Sequence, residues 1–369
     1  MRKVFKIAVT GDVHGMLYPY DFTTLSPAPG SLARVSAYVK DLRSRLGEDR
    51  VVLLDNGDML QGQPPVYFYN FIETGVTHPV ARMLKRMGYD AQTIGNHDIE
   101  TGHPVYDRYR DDLSPIPLLG ANVKDTATGE PYFRPYTIIE RDGVRFAVLG
   151  LLTPAIPAWL PEELWSGMEV TDMVASARRW VEHIRRHERP DMVIGLFHSG
   201  YESTHLTGKW LENASGLVAR EVEGIDLIFM GHDHLRAVRR ESTGILLLNP
   251  GAHARLVAEA TVTADVAPDG RVAILDVEGD LVQLDGYAPD PTFMAEFEPE
   301  RAHTLQLVGQ IIGEAAGEFS GRDVYFGPSA FMQLIHTLQL EVSGADISLA
   351  SPTSFDATLH EGPLRISDM

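Results

Sequence analysis

Five short clusters carry the residues whose types and spacing can do chemistry: Gly11-Asp12-Val13-His14, Asn56-Gly57-Asp58, Gly95-Asn96-His97-Asp98, His198-Ser199-Gly200 and Gly231-His232-Asp233-His234. They offer Asp12, His14, Asp58, Asn96, His198, His232 and His234 as ligands for divalent cations. Oxygen and imidazole nitrogen without sulfur suit manganese, iron, zinc, cobalt or nickel rather than calcium. The set is too large for one tetrahedral ion and fits two ions sharing a carboxylate, with Asp58 as the natural bridge.

Two such ions outweigh the negative charge of Asp12 and Asp58, so the centre attracts an anion, and a phosphate ester meets that requirement. With the ions roughly 3.5 to 4 Å apart, a bridging water is acidified towards hydroxide and attacks phosphorus in line. No protein nucleophile is needed. His97 adjoins Asn96 but should point elsewhere, where it stabilises the transferring phosphoryl group or protonates the leaving alkoxide. Its partner is Glu100 or Asp98, and the spacing does not choose between them. His253, in Asn249-Pro250-Gly251-Ala252-His253, follows the last cluster closely enough to reach the site as a substrate contact.

Each cluster comes directly after a short apolar run that reads as a strand. Val4 to Thr10 is a strand, Ser31 to Leu46 an amphipathic helix, and Val51 to Leu54 the next strand. Pro79 to Met87 then reads as a helix and Ala91 to Ile94 as a strand. The second half repeats the scheme with a strand at Arg145 to Leu151, a helix capped by Asp172, a strand at Met192 to Phe197, and a further helix and strand at Gly216 to Val222 and Leu227 to Met230. Strands alone follow at Ile245 to Leu248, Leu256 to Thr263, Arg271 to Glu278 and Leu281 to Leu284. The pattern predicts an α/β fold, a four-layer αββα sandwich of two mixed sheets packed face to face with helices outside. In such sheets, sites form at the carboxyl ends of the strands, where all five clusters fall.

A Gly- and Pro-rich stretch, Gly286 to Pro291, marks a boundary. The expected division is a catalytic domain over 1–286, a linker region over 287–327 containing a helix from Asp290 to Gly317, and a short further part over 328–369. That last part reads as a helix, a turn, a strand at Asp346 to Ala350 and a loop, too little for a core of its own.

The 369 residues have an apolar share of 44%, a formal charge of -19 and no cysteine. Thiolate metal sites, disulfides and cysteine nucleophiles are thereby excluded. The acidic balance argues against a duplex nucleic-acid partner, because no basic stripe is available to displace counterions. A small phosphoester or nucleotide substrate remains. No run approaches the roughly 20 apolar residues of a membrane span, and the first ten residues lack a signal core. The chain therefore reads as cytoplasmic as given, or as periplasmic or extracellular if a leader has been removed. Oligomeric state is not legible.

These motifs resemble the calcineurin-like metallophosphoesterases, and within them the 5'-nucleotidase family. Leu53 to Asp58 with Gln61-Gly62, Met87 to Ala91, Gly120 to Val123, and Glu212-Asn213-Ala214 before Gly224-Ile225-Asp226 look most like the 2',3'-cyclic-nucleotide 2'-phosphodiesterase/3'-nucleotidase branch. The resemblance implies one metal on Asp12, His14, Asp58 and His234 and a second on Asp58, Asn96, His198 and His232. It implies His97 as the catalytic histidine, with Glu100 a plausible dyad partner, and Asn122 as a substrate contact. The activity implied is cleavage of nucleotide phosphoesters, as a 5'- or 3'-nucleotidase or a 2',3'-cyclic phosphodiesterase.

Ala345 to Ala350 and Gly362 to Asp368 resemble the opening of the family's second domain, which normally continues further and carries aromatic residues that sandwich the base. This chain stops at Met369, so base recognition is expected to be weak, lacking stacking of roughly 1 to 3 kcal/mol per base. Tyr18, Tyr20, Tyr67, Tyr69 and Tyr201 are the candidates to replace it. The competing expectation is a weakly active or non-catalytic fragment, a metal-binding assembly module that needs the missing domain.

Overall fold

The computed structural model describes residues 1–352 and 356–368. Two compact units emerge, Met1–Asp21 with Ser26–Arg301, and Phe22–Leu25 with Ala302–Met369. The break falls after Arg301, later than the Gly- and Pro-rich stretch.

In the larger unit the chain first builds β1 (Arg2–Thr10), β2 (Val51–Asp55), β3 (Ala91–Thr93) and β4 (Leu118–Leu119), each parallel to the next. The second sheet follows as β5 (Tyr136–Arg141), β6 (Val144–Leu152), β7 (Met192–His198), β8 (Leu227–Met230), β9 (Arg236–Arg240) and β10 (Leu246–Pro250). Its order is β9-β10-β8-β7-β6-β5, with β6, β7, β8 and β10 parallel and both edge strands antiparallel. The chain then returns to the first sheet with β11 (Leu256–Val266) and β12 (Val272–Gln283), giving the order β12-β11-β1-β2-β3-β4.

Alternation along the strands explains why the sheets stack. Phe5, Ile7, Val9, Val52, Leu54 and Val262 from the first sheet share one buried cluster with Phe146, Val148, Ile194, Leu196, Phe229 and Leu248 from the second. The opposite face of the second sheet, with Ala147, Leu149, Leu151 and Val193, packs on Val174, Ala177, Val181 and Ile184 of α2 (Met173–His187). The helix α1 (Leu32–Leu46) buries Leu32, Val35, Val39 and Leu42, and its first turn is capped by the Ser31 side chain. The helix Pro79–Met87 buries Val80, Met83, Leu84 and Met87. The αββα reading is what the structure has.

Three expectations change. The stretch read as two strands, Arg271 to Glu278 and Leu281 to Leu284, is the single strand Val272–Gln283, paired along β11 with a single irregularity between Thr263 and Ala264. Gly279 does not break it; a Cβ there would lie 2.8 Å from the Leu246 and Leu248 side chains, so the glycine admits a close approach. The long helix expected to Gly317 is two helices, Pro291–Glu296 and Glu298–Val308, followed by a strand Ile311–Ala315. Gly309 ends the helix, and the adjacent Ile311 and Ile312 suit the strand conformation, which pairs antiparallel with Gly362–Arg365. The strand expected at Asp346 to Ala350 does not form, since the segment pairs with no strand among the described residues.

The smaller unit also holds the helix Ala330–Ser343, capped by Ser329, and an antiparallel pairing of Phe319–Ser320 with Thr358–Leu359. Residues 353–355 and 369, which fall within the part read as 328–369, lie outside the described residues. No helix among the described residues is long and apolar enough to cross a membrane.

Candidate metal centre

Parallel pairing of β1, β2 and β3, and of β7 and β8, brings the strand ends that carry the clusters to one edge. Asp12 and His14 follow β1, Asp58 follows β2, Asn96 and His97 open the short helix Asn96–Glu100 after β3, His198 ends β7, and His232 and His234 follow β8. Five of these residues hold positive φ: Asp12 (50°), His14 (50°), Asp58 (56°), His232 (75°) and His234 (58°). Non-glycine residues reach that region at a cost of about 1–3 kcal/mol each, and such outliers concentrate at functional sites. A Cβ on Gly95 would lie 2.1 Å from Asp58 Oδ1, so only glycine fits at that crossing.

Asp58 occupies the middle and is fully enclosed. Its Oδ1 accepts the His97 backbone N–H at 2.8 Å. Its Oδ2 lies 3.1 Å from His198 Nε2 and 3.9 Å from His14 Nε2, yet accepts no hydrogen bond of sound geometry. On one side of it His14 Nε2 and His234 Nε2 approach to 3.0 Å, with Asp12 Oδ1 3.6 Å from His234 Nε2. On the other, Asn96 Oδ1 lies 3.0 Å from His198 Nε2 and 2.8 Å from His232 Nδ1. Asp12, His14 and His234 thus form one group with ligand spacing, and Asp12, Asp58 and His198 another.

The rear nitrogens fix which faces point inward. His198 Nδ1 donates to the Asn56 carbonyl at 2.6 Å, His14 Nδ1 to the Gln61 carbonyl at 3.1 Å, and His232 Nε2 to the Glu212 carboxylate at 2.9 Å. Each oxygen can only accept, so the rear nitrogen carries a proton and the inward nitrogen is the one left for a metal, the arrangement that orients a liganding histidine. Inward nitrogens that face one another and the Asn96 oxygen, around an orphaned carboxylate oxygen, fit a cation between them.

Without a cation the charges compensate one another. Burial alone lowers the His198 pKa, but the Asp58 carboxylate outweighs it and holds the imidazole up to about 10. Burial lowers His14 to about 4, and raises Asp12 well above its ordinary value.

His97 lies at the rim, its ring 5.4 Å from that of His14, and its Nδ1 is hydrogen-bonded to Glu100. Asp98 is not its partner. That carboxylate is buried and accepts the backbone N–H groups of Asp58, Met59, Leu60 and Gly95 at 2.8–3.0 Å, tying two loops together. His253 also reaches the edge of the cluster, 5.9 Å from the His14 ring and 6.2 Å from that of His234. Asn122 corrects an expectation. It is fully buried, its Nδ2 donating to Leu152 O and its Oδ1 accepting from Leu152 N, so it ties a loop and has no surface to offer a substrate.

Two contacts of His232 are not foreseen from the motifs. Glu212 anchors its Nε2, and Thr207 holds the other carboxylate oxygen at 2.9 Å. Trp159 stacks on the His232 ring at 5.5 Å. Glu212 lies in the run Glu212-Asn213-Ala214 that carries the resemblance but has no role assigned by it, and Trp159 ends the short helix Ile156–Trp159 outside the clusters.

Comparison with known proteins agrees with this geometry. Residues 5–236 match the model of the calcineurin-like phosphoesterase family. The trifunctional nucleotide phosphoesterase protein YfkN of Bacillus subtilis is 26% identical over 345 residues, covering 85% of this chain and 23% of its own length. A 2',3'-cyclic-nucleotide 2'-phosphodiesterase/3'-nucleotidase of Yersinia enterocolitica is 29% identical over 243 residues, covering 62% of this chain and 36% of its own. The matches thus span about a quarter to a third of these relatives. A crystal structure of the calcineurin-like phosphoesterase YfkN superposes with a TM-score of 0.72 at 25% identity, over 83% of this chain and 99% of that one. The 5'-nucleotidase precursor of Thermus thermophilus shares the fold, with a TM-score of 0.70 at 20% identity over 99% of this chain and 73% of its own. The strand-end clusters, the facing imidazoles and these matches together show that the chain belongs to the calcineurin-like phosphoesterase family.

Proposed function

We propose that this chain is a two-metal phosphohydrolase that cleaves phosphoester bonds of nucleotides or cyclic nucleotides. The observation that carries the reading is the paired convergence on Asp58: the inward nitrogens of His14 and His234 on one side, those of His198 and His232 with Asn96 Oδ1 on the other, and an unsatisfied Asp58 Oδ2 between. Asp12, His14, Asp58 and His234 would hold one ion, and Asp58, Asn96, His198 and His232 the second. Divalent ions in these positions supply charge for the phosphoryl oxygens and acidity for a water.

The chain's own groups do the rest. His97 stands at the rim beside His14, free of the ligand cluster, where its Nε2 protonates the leaving alkoxide. Glu100 holds Nδ1 and so fixes the ring orientation and the tautomer. The names of the relatives support nucleotides as the substrate class.

The test is hydrolysis by protein loaded with manganese, zinc or cobalt, assayed on bis-p-nitrophenyl phosphate, 2',3'-cyclic AMP, 3'-AMP and 5'-AMP. Turnover of at least one, abolished by chelation and restored by metal, is expected. Two bound ions with no turnover of any of the four would overturn the reading.

A further inference from the structure

Of the tyrosines considered for contact with a base, the structure buries Tyr18 and Tyr69 and engages Tyr201 with Glu241 and Arg239, whereas Tyr67 is 55% exposed. Its neighbour on the same face is Phe71, 50% exposed, with ring centroids 5.3 Å apart and planes inclined by 54°. Two large rings left open side by side lose the benefit of burial, and a folded protein retains such a patch where something docks. The backbone beneath them is unusual. Pro64–Tyr67 is a turn of α-helix that runs directly into a π-helical turn, Phe68–Ile72, a geometry frequent at functional sites.

The pair forms the wall of a pocket of about 280 Å³ lined also by Gln61, Asn70, Glu100 and Thr101. Two of those residues lead straight to the centre. Glu100 is bonded to His97, and the Gln61 carbonyl and side-chain oxygens lie 3.1 and 3.2 Å from His14 Nδ1. Asn70 sets the floor: it donates to Leu60 O at 2.6 Å, and its Oδ1 meets the buried His78. The volume sits at the lower end of small-molecule sites, which begin at about 300 Å³, and its mouth is aromatic with a polar edge.

We propose that this pocket is a base subsite in which Tyr67 and Phe71 stack on the nucleobase of the substrate, on the leaving-group side of His97. The proposal rests on the nucleotide reading above. A leaving alkoxide must face the acid that protonates it, so the nucleoside attached to that oxygen extends past His97 and Glu100 into this pocket. The rings supply stacking, while the Glu100 carboxylate oxygen left over by His97 accepts from an exocyclic amino group. Base binding therefore has a place within the metal-bearing unit itself.

The probe is adenosine, which lacks phosphate and so reads the pocket alone. Saturation-transfer NMR on the full chain should show the adenine protons receiving magnetisation, with the signal lost in a Tyr67→Ala/Phe71→Ala variant and kept in Tyr67→Phe. In kinetics, the ratio of kcat/KM for 3'-AMP to that for glycerol 2-phosphate should fall about 5- to 150-fold in the double variant, as expected for roughly 1 to 3 kcal/mol of stacking. Equal adenosine signals in wild type and double variant, no signal in either, or an unchanged ratio would each overturn the subsite. Metal-loaded wild type that hydrolyses neither these two esters nor bis-p-nitrophenyl phosphate, 2',3'-cyclic AMP or 5'-AMP would instead sink the phosphohydrolase reading, and the adenosine experiment would still decide the pocket.

Discussion

His97 and Glu100 are joined by a hydrogen bond across one turn of the helix Asn96–Glu100, while Asp98 between them faces inward and holds four backbone amides. One short segment therefore splits its two carboxylates between two tasks, one at the rim beside a candidate acid and one inside a loop crossing. Helical spacing puts positions i and i+3 on one face, which is why Glu100 and not the adjacent Asp98 meets the imidazole.

The rim pair should matter to rate and not to metal. His97→Asn is expected to lower kcat by roughly 10²- to 10⁴-fold, the usual range for a positioned acid, with two ions still bound by elemental analysis. Glu100→Gln should lower kcat by a smaller factor. Loss of metal from the His97 variant would show that it is a ligand.

Asp98 should behave in the opposite way. Asp98→Ala strips the acceptor from four enclosed N–H groups, at a cost of at least about 3 kcal/mol. Urea unfolding should therefore show a large drop in stability, whereas Glu100→Gln, at a half-exposed position, should stay close to wild type. Equal midpoints for the two variants would contradict this division of roles.

Glu212 is expected to set metal affinity through His232. Removing a carboxylate that anchors a liganding imidazole typically costs 10- to 100-fold in affinity. Glu212→Ala should weaken one of two binding steps in a calorimetric metal titration and leave the other unchanged. Weakening of both steps equally, or of neither, would remove Glu212 from the centre.

Acid stability should depend on His78. Burial, with Arg108 nearby, lowers its pKa from 6.5 to about 3, and both ring nitrogens are engaged, by Val80 N–H and by Asn70. The folded pKa lies below the unfolded one, so the unfolded chain binds the extra proton as pH falls. The contribution is complete above about pH 6.5 and is lost progressively down to about pH 3, on the order of a few kcal/mol in all. His78→Gln should lower stability at pH 7.5 but flatten its decline between pH 6.5 and 4, measured by urea midpoints. A parallel decline in both proteins would show that His78 does not drive it.

Much of the fold was legible because its signals are local. Pro79–Met87 and Leu227–Met230 have the limits that periodicity gives them, and the Asp172 cap stands where expected. The differences lie where tertiary contact overrides local composition. Gly279 looks like a strand break until Leu246 and Leu248 are seen to press on it, and Ile311–Ala315 becomes a strand only through pairing with Gly362–Arg365.

The same division runs through the site. Residue types and their place after strands gave the candidate ligands and the family, since a turn at a strand end needs glycine and a centre for borderline cations draws on Asp, Asn and His in short clusters. Only the tertiary structure decided which imidazole nitrogens face inward, that Asp58 stands between the two sets, that Glu100 holds His97, that Asn122 is spent on Leu152, and that Tyr67 meets Phe71 beside Glu100. Those relationships are distances, and many join strand ends far apart in the chain, His14 and His234 being 220 positions apart. Sequence patterns specify which groups a strand end carries; sheet pairing specifies which of them meet.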